Sequence, residues 1–230
     1  PMNPLPTATP TPPLQLVTAA FPKGGGALPG MGETLSPGGM SGAAQLSVPL
    51  PLPPVRLAPA LALTYHSHQG NGPFGLGMAL TLPSLARQTS RGIPTYADGR
   101  DTFLFEGEEL VPDAAPPTVL NNERLTRYHL RHEGRFDYLE QHQPLAPPDA
   151  PAPAWWRVWR ADGRCEVFGR CAAARTAAPG DPAQVLEWHL EETVSPHGEH
   201  VYYSYAPREA AAVRTQAACL KQVSFGNARA

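Results

Sequence analysis

From Leu46 onward the chain repeats one pattern: a short run of alternating apolar and polar residues, closed by a turn signal of glycine, proline, asparagine or aspartate. Successive side chains on a strand point to opposite faces, so alternation buries one face of a strand, whereas a helix needs apolar residues three and four apart. Such runs between frequent turns mark an all-β domain rather than strands alternating with helices. The expected fold is all-β, with antiparallel hairpins joined by Pro/Gly-rich loops. Tyr128-His129-Leu130 turns at Glu133-Gly134 into Phe136-Asp137-Tyr138-Leu139. Trp156-Arg157-Val158-Trp159 turns at Asp162-Gly163, a preferred two-residue turn, into Cys165-Glu166-Val167-Phe168. Val185 to Val194 turns at Pro196-His197-Gly198 into His200-Val201-Tyr202-Tyr203-Ser204-Tyr205. One alanine-rich stretch, Ala172 to Thr176, reads as a short helix that Pro179, Gly180 and Pro182 end at once.

At 230 residues the chain is long enough for one sizeable domain without a covalent staple. Its 29 prolines and 21 glycines put it just below the composition at which a chain is suspected of being unfolded. Six of those prolines fall in the first thirteen residues, so residues 1–20 are expected to be an extended tail and residues 21–230 the folded domain. Ala146 to Pro153 and residues 113–118 read as exposed proline-rich insertions. The 18 basic and 20 acidic residues balance, with no basic stripe among aromatics, which argues against a nucleic-acid partner. No apolar run is long enough to span a bilayer, and the first residues lack the pattern of a secretory signal. Position 1 is not methionine and the chain stops at Asn227-Ala228-Arg229-Ala230, which suggests a piece of a longer protein. Cys165, Cys171 and Cys219 are an odd set without metal-ligand spacing, so free thiols and folding in a reducing cytoplasm are expected, with a Cys165–Cys171 bridge as the alternative.

Candidate chemistry is sparse. Gly70-Asn71-Gly72-Pro73-Phe74-Gly75 fits the dinucleotide-binding spacing, but Pro73 has no N–H for a phosphate and the period-two run Met78 to Leu82 promises a strand where that motif needs a helix. The segment reads instead as a turn between strands, with Asn71-Gly72 supplying positive φ. Tyr65-His66-Ser67-His68 would put two imidazoles on one strand face, yet no third metal ligand is nearby. His197 and His200 flank a hairpin glycine and lack the helical spacing of zinc proteases. Glu106-Gly107-Glu108-Glu109 contains the E-x-E spacing of ADP-ribosyltransferases, but at a turn; it reads as a solvated turn, as Glu191-Glu192 reads as a strand pair. Ser84, Ser90 and Ser195 read as turn or cap residues. Trp155, Trp156 and Trp159 with Tyr202, Tyr203 and Tyr205 could stack sugars, but both faces of the Trp156 strand carry tryptophan, which favours packing within a larger assembly. No catalytic, cofactor-binding or metal-binding residue is assigned.

A longer series carries a family resemblance: Phe21-Pro22-Lys23-Gly24-Gly25-Gly26, Gly30-Met31-Gly32-Glu33, Gly42 to Pro51, Gly70 to Gly75, Arg91-Gly92-Ile93-Pro94-Thr95-Tyr96, Asp101-Thr102-Phe103-Leu104, Leu110-Val111-Pro112, Glu133-Gly134-Arg135-Phe136, Trp156-Arg157-Val158, Asp162-Gly163, Glu191-Glu192-Thr193 and Leu220 to Asn227. In this order the motifs resemble the SpvB-type domain that opens the B components of bacterial insecticidal Tc toxins and the Salmonella virulence plasmid B protein. Histidines replace the family's usual residues after Tyr65. The Val185 to Tyr205 hairpin resembles the YD repeats of Rhs-type proteins in part. The resemblance implies no catalysis by this segment and no cofactor. It implies a stretch of β-shell wall around a cytotoxic polypeptide, with a toxin C component or cargo and a pore-forming A component as partners, made in the bacterial cytoplasm and then secreted. The first rival is the non-catalytic N-terminal part of an ADP-ribosylating toxin, and the second a secreted glycan-binding β-domain.

Overall fold

The structure, a computed structural model of the chain, describes residues 34–38, 43–72, 74–97, 99–145, 152–178, 180–207 and 218–226. All lie in one compact unit, Gly32–Ala230. The proline-rich segment 1–20, the glycine-rich motifs before Thr34 and most of the Ala146 to Pro153 insertion lie outside the described residues.

Among the described residues the chain forms strands and a single 3-10 turn: β1 Thr34–Gly38, β2 Ala43–Pro49, β3 Ala62–His66, β4 Asn71–Gly72, β5 Gly75–Leu76, β6 Met78–Leu80, β7 Ser84–Arg87, β8 Phe103–Phe105, β9 Glu108–Pro112, β10 Thr118–Leu120, β11 Glu123–Leu130, β12 Tyr138–Pro144, β13 Trp155–Trp159, β14 Cys165–Phe168, β15 Arg175–Ala178, β16 Asp181–Val194, β17 His200–Pro207 and β18 Ala218–Ser224. The all-β expectation holds, and every pairing is antiparallel. The expected helix does not form. Ala172–Ala174 makes the 3-10 turn and Arg175–Ala178 then pairs with β16, so long-range pairing overrides a weak local preference.

The main sheet closes on itself. Its order runs β14-β13-β12-β11-β9-β8-β7-β16, and β14 also pairs with β16, which completes a ring of eight strands. The length of β16, 14 residues, makes closure possible. One flank of it takes β14 and then β15 end to end; the other takes β7 and then β17. Two ring strands are interrupted rather than ended: β9 and β10 lie in line along β11, as β14 and β15 do along β16. Closure removes free edges, and in a ring this small the side chains fill the interior. Phe103 sits at its centre, with ring centroids 4.9 Å from Trp156, 5.8 Å from Tyr128 and 5.8 Å from Trp188. Leu85, Phe105, Leu130, Leu139, Val158 and Phe168 complete the packing, each at most 1 % exposed. Sealing one such side chain is worth about 1.5–3 kcal/mol.

Turn chemistry sets the hairpins. Glu106-Gly107, at φ 51° and 85°, and Asn121-Asn122, at 51° and 62°, each have two positive φ values, the type I′ signature. The Asp162-Gly163 and His197-Gly198 hairpins use a different device. Gly163 N–H bonds Arg160 C=O while Arg160 N–H bonds Arg164 C=O, and Ser195, Gly198 and Glu199 repeat the arrangement. These are three-residue loops ending in a glycine bulge, so Asp162-Gly163 is not the central pair of a two-residue turn.

Strands β1, β2, β3 and β6 form a separate four-stranded sheet. Its register puts Leu46, Tyr65 and Met78 in one row and Val48, Leu63 and Leu80 in another on the same face, with Ser47, Thr64 and Ala79 opposite. Residues 50–61 leave this sheet as a strap that reaches the β17–β18 hairpin. Leu57 packs on the core, Arg56 lies 3.1 Å from Glu199, and Val55 fills the space over Gly226.

Candidate functional site

The two ends of the ring differ. At the β8–β9 turn, Arg160 closes the interior. Its Nε lies 2.8 Å from Glu166, Nη1 3.0 Å from Asp137 and Nη2 2.8 Å from Glu106. Arg135 pairs with Glu106 and lies 3.6 Å from Asp137. Both guanidinium groups sit over the Phe105 ring, at 4.7 and 5.5 Å from its centroid. Burial pushes the Glu166 carboxyl above its ordinary range, and Arg160 offsets this only in part. Burial also pulls Glu106 upward, but the hydrogen bonds and charges of Arg160 and Arg135 outweigh it and hold Glu106 below its ordinary value. The expectation of a solvated turn for Glu106 is therefore corrected: the backbone is a turn, while the side chain is committed to a cap. The other end opens as a mouth around Arg87, whose Nη1 lies 2.9 Å from Asp101 and whose Nε donates to Val185 C=O at 2.9 Å.

The outer face of β11, β12 and β13 carries the most unusual surface. Outward positions Trp155, Arg157 and Trp159 interleave, with Arg157 at 5.1 and 5.5 Å from the two ring centroids and Arg170 at 5.4 Å from Trp155. His142 stacks on Trp155 at 3.9 Å and 20°. Glu123 ties this stack together, accepting from Trp155 Nε1 at 2.9 Å and lying 2.9 Å from His142 Nδ1. Tyr138 packs on Trp159 at 5.3 Å and bonds Glu140, and burial with that carboxylate pushes its phenol up to about 12. A groove of about 620 Å³ runs along this face beneath β10, where Leu120 is exposed.

The six aromatics considered as a sugar platform are split apart. Trp156 and Tyr203 enter the core, Tyr205 turns inward to donate its hydroxyl to Leu190 C=O at 2.7 Å, and Tyr202 stays exposed. Trp155 and Trp159 do share the outer face, but Arg157, His142 and Tyr138 occupy the ring surface that a pyranose would need.

Against known proteins, the model of the family described as Salmonella virulence plasmid 65kDa B protein, SpvB, matches residues 38–229. The chain belongs to the SpvB family. It is 36% identical over 240 residues to the mono(ADP-ribosyl)transferase SpvB of Salmonella typhimurium, covering 94% of this chain and 39% of that protein. The Salmonella dublin SpvB matches equally, so the chain spans about two fifths of the length of these curated relatives. Among solved structures, the crystal structure of TcdB2-TccC3 superposes with a TM-score of 0.77 at 36% identity, over 93% of this chain and 11% of that one. The Photorhabdus luminescens Tc holotoxin pore superposes at 0.77 and 36% identity, over 90% and 10%. The N-terminal domain of effector protein SpvB from Salmonella typhimurium superposes at 0.69 and 35% identity, over 80% and 64%.

Among the described residues, several SpvB-type motif positions build the barrel. Phe103 and Trp156 are core, Asp101 anchors Arg87, Tyr96 lies 5.8 Å from the Arg87 guanidinium, and Thr193 is buried. The remaining candidates are scattered. Asn71–Gly72 are strand β4 paired with β5, and the positive φ falls on Gly75, at 112°, so the expected role of Asn71-Gly72 as the turn pair is corrected. A strand follows, not a helix. β3 ends at His66 and His68 lies in the turn beyond it, so the two imidazoles do not share a strand face. Among the described residues no cluster of His, Cys, Asp and Glu is placed to hold a metal. Glu191 accepts from Cys171 N–H at 2.9 Å, whereas Glu192 lies 2.6 Å from His200. Ser195 Oγ bonds Glu199 and accepts from His197 N–H, a turn cap. All three cysteines are free thiols, and burial raises those of Cys165 and Cys171. Sequence reasoning missed the Arg160 cap, because its acids come from three separate turns and strands.

Proposed function

We propose that this chain is a structural delivery segment of a bacterial toxin B component, forming shell wall that encapsulates a cytotoxic polypeptide and helps deliver it. Superposition on TcdB2-TccC3 over 93% of the chain at a TM-score of 0.77 carries this reading. The outer edge of β18, which has no strand partner among the described residues, supports it, because a wall grows by pairing at such an edge. The domain runs over residues 21–230 behind a proline-rich tail, residues 1–20. The partners are a toxin C component with its cargo and a pore-forming A component, and the protein is made in the bacterial cytoplasm and then secreted. It performs no chemistry itself: the acids and cations at the closed end pair with one another, which suits a fixed wall.

The second reading, a non-catalytic N-terminal domain of an ADP-ribosylating toxin, is favoured by the 36% identity to Salmonella SpvB. One experiment separates them: the complete protein is co-expressed with its genomic neighbours, and the product is examined by size-exclusion chromatography and limited proteolysis. A protease-resistant assembly that hides a smaller polypeptide supports the shell. A parent that elutes alone and transfers ADP-ribose from its far C-terminus refutes it.

A further inference from the structure

One turn at the capped end carries a cost that nothing among the described residues recovers. Phe136, between β11 and β12, holds a left-handed backbone at φ 54°. That region is costly for an L-residue, and a bulky side chain without a polar atom has nothing to offset it. Four other non-glycine residues share a positive φ: Glu106, Asn121 and Asn122 sit in tight hairpin turns, and Tyr96 faces the Arg87 guanidinium. Phe136 is in neither situation, because its ring is 76 % exposed and makes no ring contact among the described residues. The loop is nevertheless held in this shape. Phe136 N–H donates to the Glu133 carboxylate at 2.9 Å, Arg135 pairs with Glu106, and Arg131 N–H donates to Glu109 C=O at 2.8 Å.

The Arg160 cap fixes the surroundings of that ring. Arg160 reaches Glu106 in the β8–β9 turn, Asp137 after the β11–β12 turn and Glu166 in β14, so it binds three connections into one surface. Apart from Phe136 their tips are small or polar: Gly107, Gly134, Ala161, Asp162 and Gly163 are all exposed. A rigid aromatic standing alone on a polar rim has the form of an interface anchor, because its few torsions lose little freedom on contact. The chain also leaves the described fold at this end. β17 is antiparallel to both β16 and β18, so β18 runs the same way as β16; Ser224 pairs with Tyr202, and Gly226 lies under Val55 of the strap. The match is to the N-terminal domain of Salmonella SpvB, and the chain spans about two fifths of that whole relative, so further polypeptide follows it there. β11 and β16 stand four places apart in the ring, so a segment that starts beyond Gly226 and reaches Phe136 covers the capped end.

We propose that Phe136 anchors an intramolecular interface, on which the polypeptide that follows this domain seats an apolar pocket across the capped end. This rests on the reading above only in taking the chain as a segment of a longer toxin protein. The test compares the complete parent protein with the 230-residue chain by hydrogen–deuterium exchange and by photocrosslinking from p-benzoylphenylalanine placed at Phe136. Amides of residues 134–136 are expected to exchange about tenfold more slowly in the parent. The cross-link is expected to join position 136 to residues beyond 230 of the same molecule. Phe136→Gly should leave the melting temperature of the 230-residue chain unchanged, because relief of the left-handed backbone offsets the added freedom of glycine in the unfolded chain. In the parent the same change should abolish the protection. Equal exchange in the two proteins, a cross-link only to a second copy or to a separately encoded polypeptide, or a fall in the melting temperature of the 230-residue chain on Phe136→Gly would each overturn the anchor. A parent that gives the cross-link but hides no cargo polypeptide would sink the shell-wall reading and leave this interface standing.

Discussion

Replacing Gly169 with alanine separates two costs that the fold imposes at one residue. Gly169 joins β14 to the insertion before β15, at φ +61°, with its N–H bonded to His189 C=O at 3.0 Å. A Cβ there would lie 2.4 Å from Trp188 Cδ1 and 3.0 Å from its Cβ and Cγ. Trp188 cannot move aside, since it is 0 % exposed and its indole is bonded to Ala154. The left-handed backbone alone costs an L-residue about 1–2 kcal/mol. Overpacking a filled core adds about 1–3 kcal/mol. Gly180→Ala is the matched control: φ is +84° and nothing lies within 4 Å, so only the backbone cost applies. In urea-induced unfolding, Gly169→Ala is expected to lose about 2–5 kcal/mol and Gly180→Ala about 1–2. In thermal melts the same losses are about 4–20 °C and 2–8 °C for a domain of this size. Equal losses for the two variants would refute the claim that Trp188 is pinned against this backbone.

Arg160→Met keeps the aliphatic volume over Phe105 but strips Glu166, Asp137 and Glu106 of a shared cation; a loss of about 3–5 kcal/mol is expected by urea unfolding, and Glu166→Gln in that background should restore part of it. Stability against acid follows from Glu106 and from Asp101, which burial raises but the Thr95 hydrogen bonds and Arg87 charge hold below its ordinary value. Lowered folded values mean stability that is present above the unfolded values of 4.5 and 3.8 and lost as pH falls below them through the lower folded values, while raised Glu166 acts in the opposite sense. Melting temperature should fall with acid below about pH 4.5, and less steeply in Glu106→Gln. On a glycan array, Trp155→Ala and Trp159→Ala should leave the signal unchanged, because their rings are occupied; a sugar signal lost with either would contradict the packing described.

Period two made much of the architecture legible. Alternation put Trp156 and Val158 on one face and Trp155, Arg157 and Trp159 on the other, and the structure places the first pair in the core and the second set on the outer face, where Trp155 is itself buried at 6 % exposure beneath His142, Arg157 and Arg170. All three hairpins recur as β11–β12, β13–β14 and β16–β17. Ring closure was not legible, because the β14–β16 contact is a non-local pairing that no local propensity encodes. The interrupted strands were hidden for a related reason: Pro116-Pro117 and Cys171-Ala172-Ala173 read as a loop and a helix, yet the chain beyond each rejoins the strand it left. The cap was invisible because Arg160, Glu106, Asp137 and Glu166 are scattered in sequence and meet only once the ring has closed.

The long β16 also explains how a closed barrel can belong to an open sheet. Beyond the ring, β17 and β18 continue outward, and β18 ends the path with Lys221 and Gln222 exposed and Leu220 and Val223 half-buried on the core. An edge of 7 residues without a strand partner among the described residues is a template for another strand, and one lysine is a weak deterrent. The 230-residue chain by itself is therefore expected to self-associate with rising concentration through this edge, as seen by sedimentation velocity. Gln222→Lys doubles the edge charge without touching the core, so it should move the distribution back towards monomer at the same concentration. A chain that stays strictly monomeric at every concentration would refute the open edge, and association indifferent to Gln222→Lys would place the contact elsewhere. If the edge behaves as expected, the pairing that a shell wall requires is already present in this chain's own backbone, and the barrel supplies a rigid footing from which to extend it.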